Sequence, residues 1–196
     1  MPDAAAIDPF TANREIGVRT TVRSLFCCTP MPSRPPPPEL LALAHDAARA
    51  HDLWPELVCA VIEQESAWDR WAMRYEPAFY KRYIEPQLAR PGGDDAIRHA
   101  RAHRAPLSDT EARARAFSWS LMQVMGQVAR EHGFSGHSLA ELCDPATGLD
   151  LGCRVLAAKL AAAEGNVVRA LLLWNGGGNR DYPDAVLART HRYATP

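Results

Sequence analysis

From Leu40 onward, apolar residues recur every three or four positions, and period-two alternation appears only in short stretches. A helix advances about 100° per residue and a strand about 180°, so this spacing assigns the buried faces to helices and makes the expected fold mainly α. Leu40, Leu41, Leu43, Ala44 and Ala47-Ala48 mark a first helix ending near His51. Pro55, whose missing N–H is harmless in a first turn, opens a second that closes at Glu65-Ser66. Leu121, Met122, Met125, Val128 and Ala129 read as one face of another helix, stopped by Gly133. Asp144-Pro145 caps and opens the next, which carries Leu149, Val155, Leu156 and Leu160. Asn166 caps a helix with Val167, Val168, Leu171 and Leu172 that runs to Asn175. After a glycine-rich turn, Asp181 opens a last one with Tyr182 in its first turn.

The second helix holds an anomaly. Leu57, Val58, Val61 and Ile62 share an arc, and Glu65 falls near its centre, whereas Glu56 and Glu63 project to the opposite side, where water can solvate them. An acid on an apolar face has its charged form disfavoured, which moves its pKa toward the range where it can give up a proton near neutral pH. Glu65 is therefore the candidate general acid. The competing reading is a helix-end carboxylate that snorkels to water or pairs with an arginine.

A formal charge of −1 argues against a nucleic-acid footprint. The longest apolar run, Leu57 to Ile62, is too short to span a bilayer. Residues 1–38 lack periodicity and end in a proline run, the composition of a stiff, extended linker, which leaves 39–196 as the folded domain. Asp3, Asp8, Asn13 and Glu15 interrupt any apolar stretch near the start, so no secretory signal is expected there. Of five cysteines, Cys59 reads as a buried thiol, Cys27-Cys28 lie in the extension, and Cys143 with Cys153 are open to pairing or to remaining thiols. No cofactor is expected. His99 and His103 have ligand-like spacing but no third partner, so no metal is expected either.

Three short motifs occur in order: Glu65-Ser66 at the close of a hydrophobic helix, Ser120-Leu121-Met122-Gln123, and Trp174-Asn175-Gly176-Gly177. Together they resemble the lytic transglycosylases of the soluble-lytic-transglycosylase, goose-type-lysozyme-like domain, over roughly Leu40 to Tyr193. That family usually reads Gly-Leu-Met-Gln at the second motif and Tyr-Asn at the third. The resemblance implies a lysozyme-like helical domain that cleaves peptidoglycan glycan strands between N-acetylmuramic acid and N-acetylglucosamine. It implies one glutamate, Glu65, as acid and then base, forming 1,6-anhydromuramic ends. It also implies a substrate cleft bordered by Ser66, Met122, Gln123, Asn175 and Tyr182. Taken alone, Gln123 could be an exposed polar residue, Asn175 a left-handed helix C-cap, and Tyr182 core packing. A monomer is expected, acting on the wall in the periplasm or outside the cell. A phage endolysin or a lysis-associated bacterial protein is the implied setting.

The gap between Glu65 and Gln123 is longer than that family's by some tens of residues, implying an inserted lobe over about 71–117. Its aromatics (Trp71, Tyr75, Phe79, Tyr80, Tyr83, with Trp68 just before) and its arginines (Arg98, Arg101, Arg104, Arg113, Arg115) suit either glycan binding or packing with a solvated face. A hydrolytic muramidase would need a second carboxylate. Asp69 and Glu76 are the candidates, and Glu76 is also a candidate substrate-binding residue. The other alternative is a wall-binding module without turnover.

Overall fold

Helix α2 (Pro55–Ser66) buries six consecutive residues, Leu57 to Ile62, which means that it is covered on all sides rather than along one stripe. The computed structural model describes residues 35–88 and 108–194. Helix α1 (Pro38–Ala50) packs against α2 through Leu40, Ala44 and Ala48, and starts one residue inside the proline run because Pro38 suits a first turn. α2 ends in two left-handed residues, Ala67 (φ 50°) and Trp68 (φ 67°), which turn the chain sharply just after Glu65-Ser66.

A three-stranded antiparallel sheet follows, in the order β1 (Met73–Tyr75), β2 (Phe117–Trp119), β3 (Val124–Met125). The expectation of a helix beginning at Leu121 is corrected here. Residues 120–123 form the loop of a β2–β3 hairpin, and α6 starts only at Gly126 (Gly126–Glu131). Strands of two and three residues are too short to show period-two alternation, and Leu121-Met122 happen to continue the helical spacing of Met125 and Val128. Gly133 (φ 84°) does end α6: its N–H bonds to Arg130 O while that of Phe134 bonds to Ala129 O, a Schellman closure.

Between β1 and β2 the described part of the lobe consists of α3 (Pro77–Phe79), a π-helical turn (Tyr80–Ile84), α4 (Glu85–Leu88) and α5 (Asp109–Ala114). Ile84, Ala112 and Ala116 form a small core there, against which Tyr75, Phe79 and Tyr80 pack. Packing thus accounts for those three rings. Arg115 is not on a solvated face either: it and Arg130 are buried on the Glu111 carboxylate, at 3.0 and 2.8 Å, tying α5 to α6. Arg98, His99, Arg101, His103 and Arg104 lie outside the described residues, as do Cys27, Cys28 and the extension before residue 35.

A 3₁₀ turn (Leu139–Cys143) leads into α7 (Pro145–Ala162), whose first turn is capped by Asp144. α8 (Val167–Trp174) is capped by Asn166, although Val168 faces water. α9 (Tyr182–Thr190) packs along α2. Cys59, Cys143 and Cys153 are free thiols, so no bridge joins the last two, and burial pushes Cys59 and Cys153 up to about 12. Among the described residues, no helix is long and apolar enough to cross a membrane.

Candidate active site

Glu65 sits in the last turn of α2, half-buried, where α8 and α9 come together. Its Oε1 accepts two hydrogen bonds, from the Tyr182 hydroxyl at 2.5 Å and from the Trp174 indole N–H at 3.1 Å. Trp174 ends α8 and Tyr182 begins α9. The turn between them reverses through left-handed Gly176 (φ 70°) and Gly177 (φ 73°), a conformation open to glycine at little cost. Asn179 pins that turn, accepting Asn175 Nδ2 on its carbonyl at 2.8 Å and the Asp181 N–H on its side chain at 3.0 Å. Two rings, both far from Glu65 in sequence, thereby converge on one of its oxygens.

Burial pushes the Glu65 carboxyl above its ordinary value; the Tyr182 and Trp174 hydrogen bonds and the Arg74 guanidinium oppose that rise without cancelling it. Tyr182, 5% exposed, has its own ionisation pushed far up by burial and then by the Glu65 charge, so it remains a neutral donor. Glu65 Oε2 has no hydrogen-bond partner among the described residues. A proton on this acid therefore belongs on Oε2, since Oε1 already accepts twice. Glu63, expected to be solvated, is instead held by Arg192 and by the Tyr193 hydroxyl at 2.7 Å, where the chain beyond α9 folds back on α2.

Ser66 hydrogen-bonds to Leu121 O at 2.8 Å, fastening the end of α2 to the hairpin loop. Gln123 lies in that loop, half-buried, with φ 47°, and its Nε2 donates to Ala72 O (2.9 Å) and Ser120 O (2.8 Å). Both residues stand beside the acid's helix end and hold backbone. Ser120 (φ 62°) occupies a left-handed position, which explains why glycine is the usual residue there. Met122 is only 1% exposed, and its Sδ lies against Gly152 of α7, so its side chain belongs to the core beneath the loop, not to the surface.

Asn175 is the C-cap of α8 with φ −83°, not left-handed, and its Oδ1 is buried without a partner among the described residues. Asp69 accepts the Trp71 backbone N–H at 2.9 Å, and Glu76 accepts Arg74 Nε at 2.5 Å. Sequence reasoning did not single out Trp174 or Arg74 as site residues. The signal for Trp174 was its place where the resembling family carries tyrosine, a second ring with a polar hydrogen. Nothing in the spacing pointed to Arg74. Among the described residues, no three His, Cys, Asp or Glu side chains gather as a metal site would require.

A helical domain that covers one carboxyl with a tryptophan and a tyrosine, beside a short hairpin, has a lysozyme-like architecture. The chain belongs to the Transglycosylase SLT domain family, whose model matches residues 42–185. That membership makes it a peptidoglycan lytic transglycosylase in general type. No curated protein and no solved structure matches it.

Proposed function

We propose that Glu65 is the one catalytic acid and base, and that the enzyme cuts between N-acetylmuramic acid and N-acetylglucosamine to leave 1,6-anhydromuramic ends. The observation that carries this reading is the asymmetry of the carboxyl: Oε1 is saturated by Tyr182 and Trp174, while Oε2 is free to meet the substrate. In the first step, Glu65 protonates the bridging oxygen as the bond to muramic C1 breaks and the sugar gains oxocarbenium character. The carboxylate left behind keeps its two donors, which stabilise the charge as it develops. It then takes the proton from the muramic 6-hydroxyl as O6 attacks C1, so that Glu65 ends protonated and no water is consumed. An internal nucleophile replaces an activated water, and proximity does much of the work.

Each candidate acid of a hydrolytic route already has a protein donor but keeps a second oxygen, so the single-carboxylate route rests on the Glu65 geometry and the family membership. Glu76 is engaged by Arg74, and Asp69 by a backbone N–H. Ser66 and Gln123 would order the cleft floor by holding the hairpin, and Asn175, through its Nδ2 bond to Asn179 O, would hold the turn that brings Tyr182 to the acid. Such an enzyme acts on the wall, in the periplasm or outside the cell.

Mass spectrometry of digested, purified sacculi tests the reading. Anhydro ends from the wild type, with Glu65→Gln binding sacculi but losing at least about 10²-fold of the clearing rate, are the expected result. Reducing ends would instead mean hydrolysis, and unaltered clearing by the variant would remove Glu65 from the chemistry.

A further inference from the structure

Two tryptophans stand out from the surface among the described residues: Trp54 is 65% exposed and Trp71 63%. They lie at opposite ends of α2, Trp54 before its first turn and Trp71 just past the turn that follows Ser66. Trp71 is also held in place. The Arg70 guanidinium rests over its ring, 4.6 Å from the centroid, and the Trp71 N–H is anchored on Asp69 Oδ1 at 2.9 Å. A cation against an indole fixes the ring while leaving most of its surface to water.

The backbone beside Trp71 is tied to the acid's neighbourhood. Ala72 O accepts both Ser120 N (2.8 Å) and Gln123 Nε2 (2.9 Å), and the same loop offers Leu121 O to Ser66, the residue after Glu65. Two residues beyond Ala72, Arg74 is 72% exposed, with its Nε held by Glu76 and both terminal nitrogens left over. Its charge is felt at Glu65. An open aromatic ring followed by an anchored guanidinium matches a polymer that alternates apolar pyranose faces with carboxylate-bearing substituents.

We propose that Trp71, braced by Arg70 and Asp69, is a stacking platform for a sugar ring of the glycan strand away from the scissile bond, and that Arg74 beside it receives a carboxylate carried by that strand. The proposal rests on the glycan-cleaving reading of Glu65 and names a subsite for it. Binding energy gained there applies to ground state and transition state alike, so its loss falls on KM.

The full chain carrying Glu65→Gln, sedimented with purified sacculi, reads affinity; the same substitutions in the active enzyme read kcat and KM. Trp71→Ala weakens binding and raises KM by about tenfold, and Trp71→Phe restores part of both, as one lost ring contact would produce. Trp54→Ala, at the far end of α2, changes neither. Arg74→Ala weakens binding to carboxylate-bearing glycan but not to an N-acetylglucosamine oligomer, which has no carboxylate. A wild type that clears sacculi while Trp71→Ala stays within twofold of it in affinity and KM overturns the subsite alone. A wild type that neither binds nor clears overturns the subsite together with the reading it rests on. Melting temperatures of the variants separate either result from misfolding.

Discussion

Removing the Tyr182 hydroxyl takes away one of the two donors that favour the charged form of Glu65, and the direction of the consequence is fixed. In Tyr182→Phe the Glu65 pKa rises further, so the alkaline limb of log kcat/KM against pH moves to higher pH. The optimum rate should fall roughly tenfold, about the worth of one hydrogen bond to a charge that develops during reaction. An alkaline limb that stays in place or moves down would mean that the hydroxyl does not act on this acid. Glu65 was legible from sequence because helical periodicity alone puts it among Leu57, Val61 and Ile62. Its two donors were not equally legible: they arrive from α8 and α9, and only a turn conformation brings Trp174 and Tyr182 to the same oxygen.

At the scale of elements, α7 packs closely against the hairpin loop through Gly152 and Met122. A methyl group on Gly152 would meet Met122 Sδ at 2.3 Å and its Cβ at 3.0 Å. Alanine normally stabilises a helix interior by about 0.5–1 kcal/mol over glycine. Here overpacking, typically about 1–3 kcal/mol, should win, and urea unfolding of Gly152→Ala should show a net loss. A midpoint that rises would contradict the packing. The tie between the end of α9 and α2 makes a second case. Glu63→Ala strips partners from the Tyr193 hydroxyl and Arg192, and a loss of about 1–2 kcal/mol is expected, discounted because Arg192 is partly exposed. Helix caps such as Asp144 and Asn166 could be read locally because a cap is a local bond. The hairpin could not, since its short strand β2 is completed by pairing with β1, more than forty residues earlier in the chain.

For the molecule as a whole, two groups of carboxyls give stability opposite pH dependences. Burial raises Glu111, but Arg130 and Arg115 outweigh it and hold the group below its ordinary value. Its contribution is present above the unfolded pKa and is lost as pH falls through the lowered folded one, so the Arg115–Glu111–Arg130 cluster should lose its stabilising effect in acid. Glu65 has the reverse sign. Its folded pKa lies above the ordinary value of 4.5, so ionisation favours the unfolded chain as pH rises through that window. Glu65→Gln should therefore melt higher than wild type at pH 7, with the difference shrinking as pH falls to the ordinary carboxylate range. Equal melting curves at every pH would show that the acid is not held out of water. The sequence by itself determined the helical class, the caps and the one carboxyl on an apolar face, because periodicity and capping are properties of neighbours along the chain. Only the tertiary structure decided that Met122 is core, that Glu63 is clasped rather than solvated, and that Glu65 presents one free oxygen, because each depends on contacts between segments whose separation the chain does not encode locally.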